Sequence, residues 1–599
     1  MSIKTAIAQE PAGFLFRKLW QYAGEFRSKI VQYVLLFILA NCIILASPLI
    51  FGTIIGEIQV RGVTSANILF LLLMLSLLFF KDFLFWLLHG PARVIERLVA
   101  FSASNNYRRH LLQCVLDLRL DWHGTHDSGD TIDKVNKAGD SLSEFSQSVF
   151  EIIQVIVKLL GTSAVLFWFS PWIGSFVFVF VIFSFVIVFQ FDKRLIPQYR
   201  GLNEFSNKAS ASVFDALSNI TTIKILHIEK PVLEGVISRF KVSHSLYRAN
   251  AILNEWKWFT GIMLFQCIAF LPIALHFYHG VLAGQAIDVG TVSTLYLYLS
   301  DLIFCFFSFG SRYEQLTIFK NRMVNAEPIE QAHLALDIIE RRQASGWQSL
   351  AIRHLSFGYE GSNDVANLNK ISLKINHGER IAVIGESGSG KTTFLKVLHG
   401  MYPTARGLVS FDEEKYFLTS FADMDLKTML VPQEPEIFSS TIRENITLGI
   451  EYTEEQIVHA ARVAGFDAVI AQLSKGLESV INEKGVNLSG GQKQRLALTR
   501  ALLFSADKEL ILLDESTSSV DPENELEIYK KIWKAFPQKT IVASIHKMNL
   551  LKLFDRIVMF DKGRIVDEGT FDDLLRSNMS FRAAWKEFVT TNEESKIDM

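Results

Sequence analysis

The sequence predicts an α-helical six-span transmembrane domain followed by a soluble α/β P-loop NTPase domain with an antiparallel β subdomain. Three observations carry that expectation. Apolar runs of membrane-crossing length crowd the first 320 residues, a GxxxxGKT loop stands between a strand and a helix, and short alternating strands fill the second half.

At 599 residues the chain is too long for one core. Hydrophobic residues make up 49%, with 48 Phe, and mean hydropathy is +0.24, high for a soluble protein. A net charge of -2 provides no basic field for nucleic acid. Cys42, Cys114, Cys267 and Cys305 are too scattered for a disulfide framework or a zinc site and read as packing residues. The N-terminal "MSIKTAIAQEPAGFLFRKLW" lacks the apolar core and cleavage site of a secretory signal, and it is neither arginine-rich nor free of acid. It reads as a cytosolic tail entering an amphipathic elbow helix, about 13–22, on the membrane surface.

A span needs ~20 mostly apolar residues. Six runs qualify, at about 31–54, 68–88, 154–169, 173–191, 256–277 and 289–309. Lys158 interrupts the third, which is expected to begin as a cytosolic helix and enter the membrane late. The loops after spans one, three and five carry almost no Lys or Arg, whereas the long loops between carry Arg93, Arg97, Arg108, Arg109, Lys193, Arg194, Arg200 and Lys208 among others. The positive-inside rule therefore puts the long loops, both termini and everything after residue 320 in the cytosol. "FDALSNITTIKILHIEK" has helical apolar spacing, so the membrane helices are expected to extend into the cytosol and carry short transverse helices. The expected divisions are a tail and elbow at 1–28, a transmembrane domain at 29–325, a linker at 326–345, a nucleotide-binding domain at 346–585 and a tail at 586–599.

From about residue 349, "LAIRHLSFGYE" and "ISLKINHGERIAVIG" alternate as half-buried strands, and "ELILLDE" reads as a buried parallel strand ending in acids. "RIAVIG" runs into "GESGSGKTT": Gly385, Glu386, Ser387, Gly388, Ser389, Gly390, Lys391, Thr392 and Thr393. Such a loop wraps phosphates with backbone N–H groups, the lysine reaches the outer phosphates and the hydroxyl after it ligates Mg²⁺. Chance gives this pattern in only ~2% of chains of this length, and its place between strand and helix indicates ATP binding. Asp514 ends the strand where a Mg²⁺ aspartate is needed, and Glu515 is placed to orient or deprotonate a water.

"LSGGQ", with Ser489, Gly490, Gly491 and Gln492, resembles the signature of ATP-binding-cassette (ABC) proteins, and the remaining cassette motifs follow in order. The whole chain resembles a bacterial ABC exporter half-transporter: six spans of the ABC exporter type fused to one cassette. The resemblance implies that Tyr359 stacks on adenine, Gln433 serves as the Q-loop glutamine near Mg²⁺ and water, and "SSVD", ending at Asp521, forms the D-loop. It also implies that His546 is the switch histidine that contacts the γ-phosphate; Lys547 stands where the family usually has an arginine. "THDSGDTIDKVNKAGD" resembles the first intracellular loop, with its coupling helix.

By the same resemblance two chains pair head to tail, each ATP lying on one chain's P-loop and facing the other's signature. Glycines at a helix start, with free N–H groups and a favourable dipole, suit that phosphate-facing role. The intact Glu515 and signature favour a homodimer. The implied activity is ATP-driven export or flipping of an amphipathic, lipid-like or drug-like substrate from the cytosolic side, in a bacterial inner membrane. Alternatives are an importer on the exporter fold, for siderophore-like cargo, and an ATP-gated channel or regulatory subunit. Lys81, Asp82 and Asp301 are candidate pathway charges. At 1.5 Å per residue Lys81 and Asp301 stand about 20 Å from the outer ends of their spans, which leaves two readings: they pair, within one chain or across a dimer, or each pairs locally or sits in a cytosolic helix extension. Tyr296, Tyr298, Phe304, Phe306, Phe307 and Phe309 suggest an aromatic cavity.

Overall fold

The computed structural model describes residues 10–282, 284, 287–336, 342–343, 346–359, 367–402, 406–412, 414–416, 424–425, 427–481 and 488–597. The first nine residues of the tail, most of 337–345, the Gly485–Asn487 lead into the signature, the side chain of Phe306 and the last two residues lie outside the description. The chain forms two compact units, one holding nearly all residues up to 336 and the other the residues beyond.

In the first unit Pro11–Tyr22 (α1) is the elbow, begun by Pro11 at a position where its missing N–H costs nothing. The long helices are Arg27–Ile44 (α2), Ser47–Arg61 (α3), Ile68–Asp117 (α4), Ser128–Phe169 (α5), Pro171–Ser218 (α6), His244–Leu282 (α7) and Val289–Val324 (α8). Among the described residues six helical segments are long and apolar enough to cross a membrane. The 50 residues of α4 span about 75 Å at 1.5 Å per residue, more than twice a ~30 Å bilayer core. Expected short helices appear at Leu120–Thr125 and Ile220–Leu226.

The first span differs from expectation. It is two helices, α2 and α3, with Pro48 in the first turn of α3. The groups freed by the break are satisfied locally, as an apolar surrounding requires. Tyr298 OH donates to Leu45 O (2.7 Å), Ser47 Oγ to Ile44 O (2.8 Å), and Lys81 Nζ to Ser47 Oγ (2.7 Å).

Within one chain Lys81 and Asp301 do not pair. Asp301 Oδ1 pairs with Lys158 Nζ on α5 at 2.8 Å, while Lys81 pairs with its neighbour Asp82, also at 2.8 Å. Matching depth did not make α4 and α8 partners at this level; α5 lies against α8, and Lys158, which weakened the third span as an apolar run, supplies the cation. Further pairs join long helices, among them Lys257 to Asp192 and Arg312 to Glu151, at 2.8 and 2.7 Å.

The α8 aromatics are divided. Tyr298 is buried with Leu166, Phe265 and Leu299, Phe307 stacks on Trp258, and Phe309 stacks on Tyr313. Tyr296 and Phe304 are exposed, the latter beneath Lys158 Nζ. Among the described aromatics, Tyr298, Phe307 and Phe309 therefore serve helix packing. Cys114 and Cys305 are buried within the chain, whereas Cys42 and Cys267 are exposed on its surface.

Among its described residues the second unit carries two large sheets and a two-residue parallel pairing of Arg342–Gln343 with Met424–Asp425. Ser349–Phe357 (β1), Leu368–Asn376 (β2), Arg406–Phe411 (β4) and Glu414–Tyr416 (β5) form the expected antiparallel sheet, in the order β2-β1-β4-β5. Arg380–Ile384 (β3), Thr428–Val431 (β6), Leu510–Asp514 (β7), Thr540–Ser544 (β8), Arg556–Asp561 (β9) and Arg564–Gly569 (β10) form the other, in the order β10-β9-β3-β8-β7-β6. All its pairings are parallel except β9–β10. β7 and β8 are buried at every position, which is why they read as unbroken apolar runs. Lys391–Leu398 (α9), Gly490–Leu503 (α10) and Pro522–Ala535 (α11) are the helices that matter for the site.

Candidate functional site

Open parallel sheets bind ligands beyond the carboxyl ends of their strands. In register, Ser544 of β8 lies opposite Val383 of β3 and Asp514 of β7. The strand ends therefore bring together the loop after β3, the acids after β7 and the histidine after β8.

The P-loop turns from Ile384 into α9, whose N-cap is Gly390 at φ +104°. A Cβ there would sit 3.0 Å from Asn367 O, so glycine is required by conformation and by space. Lys391 is buried, and its Nζ donates to Gly385 O (2.8 Å) and Glu386 O (3.0 Å). Burial lowers its pKa, with Glu515 and Asp514 opposing the shift. Tyr359 OH lies 3.3 Å from Thr393 Oγ1, at the start of α9, and its ring meets Tyr402 edge-on. Ser387 and Gly388 complete the loop, Gly388 at φ +79°.

Asp514 is almost wholly buried. Burial raises its pKa, while the hydrogen bond from Thr392 pulls the other way. Thr392 Oγ1 stands 3.0 Å from Asp514 Oδ1. Ser389 Oγ is buried in the same cradle with no hydrogen-bond partner among the described residues. A hydroxyl beside a carboxylate, both hard oxygen donors, fits a Mg²⁺ that keeps its water and phosphate ligands. Among the described residues no three His, Cys, Asp or Glu side chains form a metal cage.

Glu515 has φ +46°, a conformation that costs a non-glycine residue roughly 1–3 kcal/mol and tends to mark functional positions. Its carboxylate is held from two sides. Oε2 accepts from Gln433 Nε2 at 2.7 Å, and Oε1 lies 2.5 Å from His546 Nε2. Gln433 follows β6, and His546 follows β8 by two residues. Three motifs thus meet at one place: Gln433 and His546 close on Glu515, which follows Asp514 directly, and both acids lie near Lys391.

Ser489 is the N-cap of α10. Its hydroxyl accepts from Gln492 N (3.3 Å), and its own N–H donates to Gln492 Oε1 (2.9 Å), a reciprocal capping box. Gln492, placed among the nucleotide contacts by sequence, is engaged in that cap. Gly490 and Gly491 open the helix; a Cβ on Gly491 would meet Ser519 O at 2.7 Å. Asp521 caps α11, accepting from Asn524 N (3.0 Å) and Nδ2 (2.8 Å), which hold its carboxyl below the ordinary range.

Sequence reasoning missed Gln494. It is buried on α10, donates to Ser518 Oγ (3.0 Å) and Gln433 O (3.3 Å), and accepts from Ser519 N (2.8 Å). It joins the segments after β6 and β7 to the signature helix. The available signal was an amide side chain on the apolar face of that helix. Thr517 and Glu525 were missed too; their bonds depend on tertiary contact.

A bundle of membrane-length helices joined in one chain to a P-loop ATPase fold defines a membrane-embedded ATPase. The "ABC transporter transmembrane region" family model matches residues 30–306 and the "ABC transporter" model matches residues 368–518. The chain belongs to the ABC transporters and is an ATP-hydrolysing, multi-pass membrane transporter. It is similar to an uncharacterized ABC transporter ATP-binding protein, YknU, of Bacillus subtilis (26% identical, 94% of this chain and 95% of that one). Heavy metal tolerance factor 1 of Caenorhabditis elegans is 23% identical, over 95% of this chain and 71% of that protein. The fold is shared with a bacterial Atm1-family ABC exporter solved with ATP bound (TM-score 0.82, 20% identity, 94% of this chain and 98% of that one).

Proposed function

We propose that the protein works as a homodimer that hydrolyses ATP to export or flip an amphipathic, lipid-like or drug-like substrate from the cytosolic side of a bacterial inner membrane, by alternating access. The observation that carries this reading is the complete acid–amide–histidine set around one P-loop, with Glu515 bridged to both Gln433 and His546. Both termini and the ATPase domain lie in the cytosol under the basic-loop asymmetry.

Residues 385–393 bind the phosphate chain, and Lys391 neutralises its outer end. Tyr359 packs on the adenine. Thr392, Asp514 and Gln433 hold Mg²⁺, which when bound offsets charge on the β- and γ-phosphates. Glu515 takes a proton of the attacking water while the water oxygen adds to the γ-phosphorus and the bridging P–O bond breaks, so that ADP leaves. His546 steadies both Glu515 and the γ-phosphate. Ser489, Gly490, Gly491 and Gln492 present a helix start to the ATP bound by the partner subunit, and Asp521 lies at the same junction. The test is ATPase activity of the full-length protein in lipid nanodiscs across lipids, dyes and peptides, paired with transport in inside-out vesicles. Stimulation by amphiphiles with ATP-dependent uptake into such vesicles supports the reading; cargo movement in the opposite direction contradicts it.

A further inference from the structure

Directly after His546 stands Lys547, to which the proposed hydrolytic mechanism gives no task. Its Nζ donates to Val520 O at 2.7 Å and lies 2.8 Å from Glu525 Oε2. Glu525, on α11, is almost fully buried, and its other oxygen accepts from Thr517 Oγ1 at 2.6 Å. Thr517 lies two residues after Glu515, and Val520 is the residue before Asp521. One buried carboxylate and one ammonium therefore fasten three segments: the turn that carries His546, the turn that carries Glu515, and the loop leading to Asp521. A buried acid left without its cation is strongly disfavoured, so the tie resists independent movement of these segments.

We propose that Lys547 is a positioning residue for ATP hydrolysis, holding His546 and the 517–521 loop in fixed relation to Glu515 through Val520 O and Glu525. The inference rests on the roles given above to Glu515 and His546. Because Lys547 touches neither P-loop nor signature in this network, its removal loosens the geometry of the reacting groups and leaves the phosphate cradle intact. Arginine, which also presents several donors to a carboxylate and a carbonyl, meets the same demand.

The test uses the full-length protein in nanodiscs. Lys547→Ala is expected to lower kcat for ATP by about 10-fold or more while KM changes by less than about 3-fold. Lys547→Arg is expected to restore kcat to within about 3-fold of wild type. Glu525→Gln alone should resemble Lys547→Ala, and the double variant should be no slower than the worse single one, the non-additivity of residues acting as a unit. A wild-type kcat in Lys547→Ala overturns the proposal. So does a loss matched by weaker ATP binding and lower thermal stability that arginine does not restore. Glu515→Gln, run in parallel, separates the two levels: a dead Glu515→Gln with an active Lys547→Ala removes only the positioning role, whereas turnover retained in Glu515→Gln removes the reading of the site itself.

Discussion

Glu515 Oε1 and His546 Nε2 stand 2.5 Å apart, across the ends of two neighbouring parallel strands. The left-handed backbone of Glu515 aims its carboxylate at that histidine and at Gln433, and the surrounding bonds hold the conformation against its cost. Replacing the carboxylate by an amide keeps the shape and removes the proposed base. Glu515→Gln should bind ATP within about 3-fold of wild type and lose about 100-fold or more in kcat, the scale of a general base. Equilibrium nucleotide binding and steady-state phosphate release measure the two quantities separately.

Asp514 gives a pH and stability prediction. Burial lifts its pKa above its ordinary 3.8, so between that value and the raised one the native state binds more protons than the unfolded state, and above both the native state carries a buried charge. Stability of the nucleotide-free protein therefore falls as pH rises from about that ordinary value through the raised folded one. Asp514→Asn removes the burden of the buried charge. It should raise the unfolding temperature of the nucleotide-free protein at neutral pH by about 2–4 °C while abolishing Mg²⁺-dependent hydrolysis. Thermal scans with and without Mg²⁺-ATP read both effects: the stabilisation by Mg²⁺-ATP should shrink in the variant.

The Lys158–Asp301 pair is expected to hold α5 against α8. Removing one partner of a largely buried pair leaves the other charge uncompensated, at a cost of roughly 3–5 kcal/mol. Asp301→Ala and Lys158→Ala should each reduce the folded yield in membranes, and the exchange Lys158→Asp with Asp301→Lys should recover much of it. The exchange Lys81→Asp with Asp301→Lys should recover nothing, because Lys81 is bound to Ser47 and Asp82.

Much of this architecture is legible in the residues. Spans are visible because each needs its own apolar length, and the P-loop is visible because its chemistry lies in consecutive residues. The break at Leu45–Ala46 is hidden: apolar residues continue on both sides, and only Ser47–Pro48 marks it. The partner of Asp301 is hidden for another reason, since equal depth does not say which helices are neighbours. Glu515, Gln433 and His546 were recognisable singly by motif order, yet their joint contact depends on strand register. Gln494, Thr517 and Glu525 had no motif to announce them because their roles consist of bonds that only the fold brings about, between the signature helix and Ser518 and across the loop between β7 and α11.

In the proposed dimer "LSGGQ" acts on an ATP held by the other chain. Purified dimers that pair one Ser489→Arg chain with one Lys391→Ala chain, separated by two affinity tags and reconstituted in nanodiscs, put this arrangement to the test. Each homodimer has both sites spoiled, whereas the mixed dimer keeps one intact P-loop facing one intact signature. ATP hydrolysis in the mixed dimer well above either homodimer is the expected result. Hydrolysis as low as in the homodimers would contradict the claim and return the signature to its own chain's nucleotide.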